Sequence, residues 1–166
     1  MRYDEDGNWH KSLLATIASR MKPKCFIELG LWKEPALLDV AQHCESVHGV
    51  DPMGPAYDVP SNATIHAMTT DEFFDGPAKE LIPDLVFVDA DHRSHQVMKD
   101  LDNISMIAAE NCIVVIHDTY PPNADHTADG FCSDSYKVPK LLMWENVTLP
   151  FPPGVTIVRM HPRSLV

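Results

Sequence analysis

The chain has 166 residues, 45% of them apolar, which is enough for one hydrophobic core and too few for two ordinary domains, so a single domain spanning 1–166 is expected. Its 13 basic residues against 24 acidic ones give a net charge of -11, which argues against a broad phosphate-binding surface, and so against nucleic acid or an anionic membrane as the main partner. No apolar run approaches the roughly 20 residues of a membrane span, and the opening MRYDEDGNWHK lacks the basic region and apolar core of a secretory signal, so a cytoplasmic location is expected.

In chain order, Leu13, Leu14, Ile17, Ala18 and Met21 recur at helical spacing, and Pro23 stops that helix. A strand follows over Cys25–Leu29. Pro35 suits the first turn of a second helix whose buried face is Leu37, Leu38, Ala41 and Cys44. Ser46–Val50 reads as the second strand and ends in Asp51, after which PMGPAYDVPSN is loop. Residues 63–67 form a weak third strand, and Thr70 or Asp71 caps a short helix running toward Leu81, interrupted near Gly76 and Pro77. Leu85–Val88 is a continuous apolar fourth strand, of the kind buried on both faces in a parallel sheet. Val97, Leu101, Ile104 and Ala108 mark the next helix, Asn111 ends it, and residues 112–116 are the fifth strand. The segment 121–134 has no periodicity and reads as a mobile loop, a candidate lid. A helix over 135–145 and an antiparallel pair, 147–149 with 155–160, complete the chain. Strands alternating with helices predict a doubly wound, three-layer α/β domain.

In such sheets ligands bind beyond the carboxyl ends of the strands. Two apolar runs end there in acids and imidazoles: PDLVFVDADHRSH supplies Asp89, Asp91, His92 and His95, and IHDTY supplies His117 and Asp118. Two buried strands tipped in this way point to one shared site. Glu28 closes the first strand, Gly30 opens the loop after it, and Asp51 closes the second strand, where a carboxylate can accept both hydroxyls of a ribose. That is a nucleoside-cofactor pattern, although a strand-end acid alone often caps a helix and a lone glycine usually marks a turn. Cys25, Cys44, Cys112 and Cys132 lack CxxC spacing and read as core thiols with no assigned role.

The segments FIELG, HGVDP, PDLVFVDADHRSHQVMKDL and NCIVVIHDTYPP, in order over Phe26 to Pro122, resemble the class I S-adenosylmethionine-dependent methyltransferases. The nearest likeness is to the small-molecule O-methyltransferases of the catechol and caffeoyl-CoA types and their sugar-modifying relatives. The resemblance implies a Rossmann-like three-layer sandwich around a mostly parallel seven-stranded sheet in the order 3-2-1-4-5-7-6. It also implies S-adenosylmethionine as cofactor, a small hydroxylated acceptor such as a sugar or phenol, and a homo-oligomer. Carried over by position, Glu28 and Gly30 match the cofactor loop, Asp51 the ribose carboxylate, and Thr69 and Thr70 the adenine side. Asp89, counted with the cofactor set as well, and Asp118 match two ligands of a divalent cation, Mg²⁺ or another, which suits hard oxygen donors. His92 stands where metal-dependent members place a catalytic lysine, with Asp91 expected beside it to hold the imidazole. His117 has two readings, a direct part in proton transfer or a bond that orients the loop.

The chain departs from the family pattern at Glu34, where a second glycine is usual, at Ala36, where a hydroxyl is usual, and at Thr119, where an Asn ligand is expected. Lys33 offers an electrostatic substitute for recognition of the cofactor's carboxylate. Two alternatives stay open: a metal-dependent hydrolase or hydroxylase-like enzyme using Asp89, Asp91, His92, His95 and Asp118, and a degenerate cofactor-binding module without turnover.

Overall fold

The computed structural model describes residues 8–33 and 35–161. Seven strands form one sheet in the order β3-β2-β1-β4-β5-β7-β6. The strands are β1 (Cys25–Leu29), β2 (Ser46–Val50), β3 (Ala63–His66), β4 (Leu85–Val88), β5 (Cys112–His117), β6 (Glu145–Leu149) and β7 (Val155–Met160). The first five pair in parallel, and β7 inserts antiparallel between β5 and β6.

Alternation along the strands builds the layers. Phe26, Leu85, Phe87 and Val115 face the helices α1 (Trp9–Met21) and α2 (Leu37–Val40), where Leu14, Ala18, Leu37 and Val40 meet them. Their neighbours Ile27, Val86, Val88 and Val114 face the other way, onto Phe73 of α3 (Thr70–Asp75) and Val97, Leu101 and Ile104 of α4 (Ser94–Ile107). Both faces of β4 are therefore buried, which is why its sequence is an unbroken apolar run. Among the described residues no helix is long and apolar enough to cross a membrane.

The sheet's hydrogen bonding continues just past the strand ends and fixes the backbone beyond them. Asp89 N–H donates to the Leu29 carbonyl (2.8 Å), Gly30 N–H to Val50 (2.9 Å) and Asp51 N–H to His66 (3.1 Å). The strand order reverses between β1 and β4, the position where a doubly wound sheet opens a crevice.

Local differences from the expected elements have physical causes. The helix after Pro35 is a single α turn followed by a 3-10 turn, Ala41–His43. Thr69, not Thr70 or Asp71, caps α3, its hydroxyl accepting from Glu72 N–H while the Glu72 carboxylate accepts from Thr69 N–H. The helix expected over 135–145 is only a 3-10 turn, Ser135–Lys140, because Pro139 has no N–H to continue an α-helical ladder. The freed chain enters β6 at Glu145, two residues before the expected start.

Candidate active site

A cavity of about 1330 Å³ lies at the carboxyl ends of the parallel strands. Gly30, Asp51, Thr69 and Thr70 line it from the β1, β2 and β3 side. Gly30 has φ +88°, and a Cβ there would sit 2.2 Å from the Asp89 carbonyl oxygen, so only glycine lets the loops after β1 and β4 touch. Asp51 is fixed by two amides: Leu31 N–H donates to Oδ2 (2.9 Å) and Met53 N–H to Oδ1 (2.8 Å). A carboxylate has about four acceptor positions, so two remain for a ligand. Gln96 of α4 also lines the wall, its amide nitrogen held by Asp71 and Asp100, both at 3.1 Å.

On the β4 and β5 side the cavity is lined by Asp89, His92, His117 and Asp118. One ligand atom each from Asp89, His92 and Asp118 lies within 4.8 Å of the others. His92 Nδ1 is 2.7 Å from Asp118 Oδ2 and its Nε2 is 3.6 Å from Asp89 Oδ1. Below them His117 Nδ1 donates to Asp89 Oδ1 at 2.8 Å. Burial pulls the His92 pKa down, but its bonds to Asp118 and Asp89 outweigh this and hold it well above the ordinary imidazole value. Burial likewise opposes charge on His117 and on Asp89, yet the Asp89–His117 attraction raises the one and lowers the other. An imidazole held as its cation has no lone pair for a substrate proton, so His92 acts as a base only after losing its own.

The model of the methyltransferase domain family matches residues 36–119. The chain belongs to this family. No curated protein matches it by sequence. Among solved structures it is similar in fold to the O-methyltransferase TomG from Streptomyces achromogenes in complex with SAM, at 12% identity and TM-score 0.68, covering 92% of this chain and 79% of that one. The O-methyltransferase from Bacillus cereus in complex with SAH is similar at 9% identity and TM-score 0.67, with 91% and 80% covered. The N-methyltransferase NodS from Bradyrhizobium japonicum matches at 13% identity and TM-score 0.62 over 97% and 99% of the two chains. At such identities these likenesses concern the fold.

Several residues stand elsewhere than a methyltransferase pattern led us to expect. Glu28 does not line the cavity: its carboxylate is 1% exposed and accepts from Ala36 N–H (2.9 Å) and Leu37 N–H (2.5 Å), clamping the start of α2. Glu34 lies outside the described residues, while Lys33 lines the cavity with its ammonium 5.6 Å from the Trp32 ring centre. Asp91 does not hold His92; it pairs with Arg93 through Nε and Nη2. His95 is exposed on α4, so the five-residue cage of the hydrolase reading does not assemble. Thr119 is buried and its hydroxyl accepts from Thr156 of β7 at 2.9 Å, away from the acids.

Three contributors were not read from the sequence. His10 of α1 is buried, with its ring centre 4.2 Å from that of His117 and 5.5 Å from that of Phe87. Cys132 Sγ donates to Asp118 Oδ1 at 3.4 Å, and burial, reinforced by the Asp118 charge, pushes its thiol up to about 12. It is therefore a donor to Asp118 and no nucleophile. The Phe131 carbonyl lies 2.5 Å from His92 Nδ1, which ties the 121–134 loop to the site.

Proposed function

We propose that this chain is an S-adenosylmethionine-dependent O-methyltransferase, a single catalytic domain acting on a hydroxyl of a small molecule such as a sugar or phenol, with a divalent cation at Asp89 and Asp118. The observation that carries the reading is the continuity of one cavity, whose wall includes Gly30, Asp51, Thr69 and Thr70 together with Asp89, His92, His117 and Asp118. S-adenosylmethionine, when bound, supplies a methyl group activated on a sulfonium. A divalent cation, when bound, lowers the cost of an anionic acceptor oxygen.

The residues divide the work. Asp51, already held by two amides, would receive the ribose hydroxyls with its remaining lone pairs, and Gly30 lets the loops after β1 and β4 pack together along the same cavity wall. Thr69 and Thr70 border the adenine. The donor set fits a cation: two carboxylates and an imidazole with ligand atoms within 4.8 Å of one another. His117, against Asp89, holds and moves the proton that leaves the acceptor, and His92 shares that task when its ring is not engaged on a metal. An oxygen acceptor is favoured because a hydroxyl needs nearby charge to give up its proton, whereas an amine near neutrality needs only to lose one. Positioning the acceptor oxygen in line with the methyl group supplies much of the rate.

Calorimetric titration of the folded protein with S-adenosylmethionine tests the reading. Saturable binding is expected. Absence of binding removes the methyltransferase assignment together with a module that keeps cofactor binding.

A further inference from the structure

We propose that His92 is the third protein donor of the cation site, and that this nitrogen makes the site select a borderline transition-metal ion, of the Fe²⁺, Co²⁺ or Zn²⁺ class, over Mg²⁺. The inference rests on the cation site proposed above and concerns what this chain puts in it.

Where the family pattern calls for an oxygen donor after Asp118, the chain has Thr119, which is 3% exposed and bonded to Thr156 in the body of the sheet. The place is taken from another strand end. His92 is the residue whose ligand atom clusters with those of Asp89 and Asp118. Its tautomer follows from its neighbours. The Phe131 carbonyl, 2.5 Å from Nδ1, can only accept, and Asp118 Oδ2 lies 2.7 Å from the same nitrogen, so Nδ1 carries a proton, Nε2 is the nitrogen left for a metal, and Asp118 joins that metal by turning from Nδ1 toward Nε2. Metal-binding histidines are usually oriented in this way, by the second ring nitrogen donating to a carbonyl or carboxylate.

Nε2 faces Asp89 Oδ1 at 3.6 Å. Two ligands each about 2.1 Å from a metal lie about 3.0 Å apart at a right angle and about 3.4 Å apart at the tetrahedral angle, so Nε2 and Asp89 Oδ1 stand a few tenths of an ångström from coordinating distance, and Asp118 keeps a ligand atom within 4.8 Å of both residues' ligand atoms. Both carboxylates are steered by neighbours as well, Asp89 by His117 Nδ1 at 2.8 Å and Asp118 by Cys132 Sγ at 3.4 Å. Mg²⁺ favours oxygen ligands in near-ideal octahedra and gives up water reluctantly, whereas imidazole suits the later divalent ions. With Nε2 engaged on a metal, His92 is no longer free to take the acceptor's proton, and that task falls to His117.

The test is calorimetry of the full chain, freed of metal by chelation, with MgCl₂ and CoCl₂ in turn, together with the visible absorption of the Co²⁺ form. Wild type is expected to bind Co²⁺ at least about 10-fold more tightly than Mg²⁺. His92→Gln should lower Co²⁺ affinity by about 10- to 100-fold, with a changed Co²⁺ spectrum and a much smaller change for Mg²⁺. Equal affinity for the two ions, a Co²⁺ affinity and spectrum unchanged in a folded His92→Gln, or no metal binding to folded wild type would each overturn the proposal. S-adenosylmethionine binding is measured on the same samples. Cofactor binding without metal binding defeats this proposal alone, and His92-dependent Co²⁺ binding without cofactor binding supports the donor set while defeating the methyltransferase reading.

Discussion

Glu28 offers a sharp test of the site's architecture, because its carboxylate is buried and both of its oxygens are engaged by the first amides of α2. In Glu28→Ala two buried N–H groups lose their acceptor, each worth about 1–3 kcal/mol, partly offset by removing a carboxylate that is costly to desolvate. A net loss of about 2–4 kcal/mol is expected. The pH dependence tests the burial of that carboxyl. Burial raises the Glu28 pKa from its ordinary 4.5 to about 8, against the smaller opposing effect of the Ala36 and Leu37 amides. A raised folded-state pKa means that the folded state binds the proton more tightly, so this contribution is full below about pH 4.5 and is lost as pH rises toward 8, by about 5 kcal/mol at most. Glu28→Gln removes the titration. Urea unfolding at pH 5, 6.5 and 8 should therefore show the stability of wild type falling relative to Glu28→Gln across that range. Parallel pH profiles for the two proteins would refute the buried titration of Glu28, and wild-type stability in Glu28→Ala would refute the clamp.

Asp51→Ala should weaken S-adenosylmethionine binding by about 1–3 kcal/mol while the fold persists, because ribose hydroxyls lose their acceptor; unchanged affinity in calorimetry would remove Asp51 from the cofactor set. Gly30→Ala places a Cβ 2.2 Å from the Asp89 carbonyl at a positive φ, so a large drop in the urea midpoint together with loss of cofactor binding is expected, and wild-type behaviour would contradict the packed loop contact. Asp89→Asn and Asp118→Asn should each abolish metal-dependent transfer once an acceptor is found, and chelation of wild type should mimic both; full activity in excess chelator would exclude the cation.

Much of this arrangement was legible because the parallel strands are read locally. The apolar run Leu85–Val88 and the acids at the ends of β1, β2, β4 and β5 are contiguous in sequence, and parallel pairing brings those ends to one edge. The direction of each acid was not legible. Glu28 and Asp51 both close strands, yet the former turns onto the α2 amides and the latter lines the cavity. Nothing in FIELG records that difference, since it depends on where α2 begins. His10, Cys132 and the Phe131 carbonyl reach the site from α1 and the 121–134 loop, far along the chain from His117, Asp118 and His92. Such contacts depend on tertiary packing, which leaves no spacing pattern to read. The 3-10 turn at Ser135–Lys140 differs from the expected helix for another reason: a single proline inside the segment breaks the α-helical ladder.

The most direct measurement of the central claim is a crystal structure of the full chain grown with S-adenosylhomocysteine. The account predicts the nucleoside in the cavity, its ribose on Asp51, its adenine beside Thr69 and Thr70, and its sulfur toward Asp89. A ligand bound outside this cavity, or one that leaves Asp51 untouched, would contradict it.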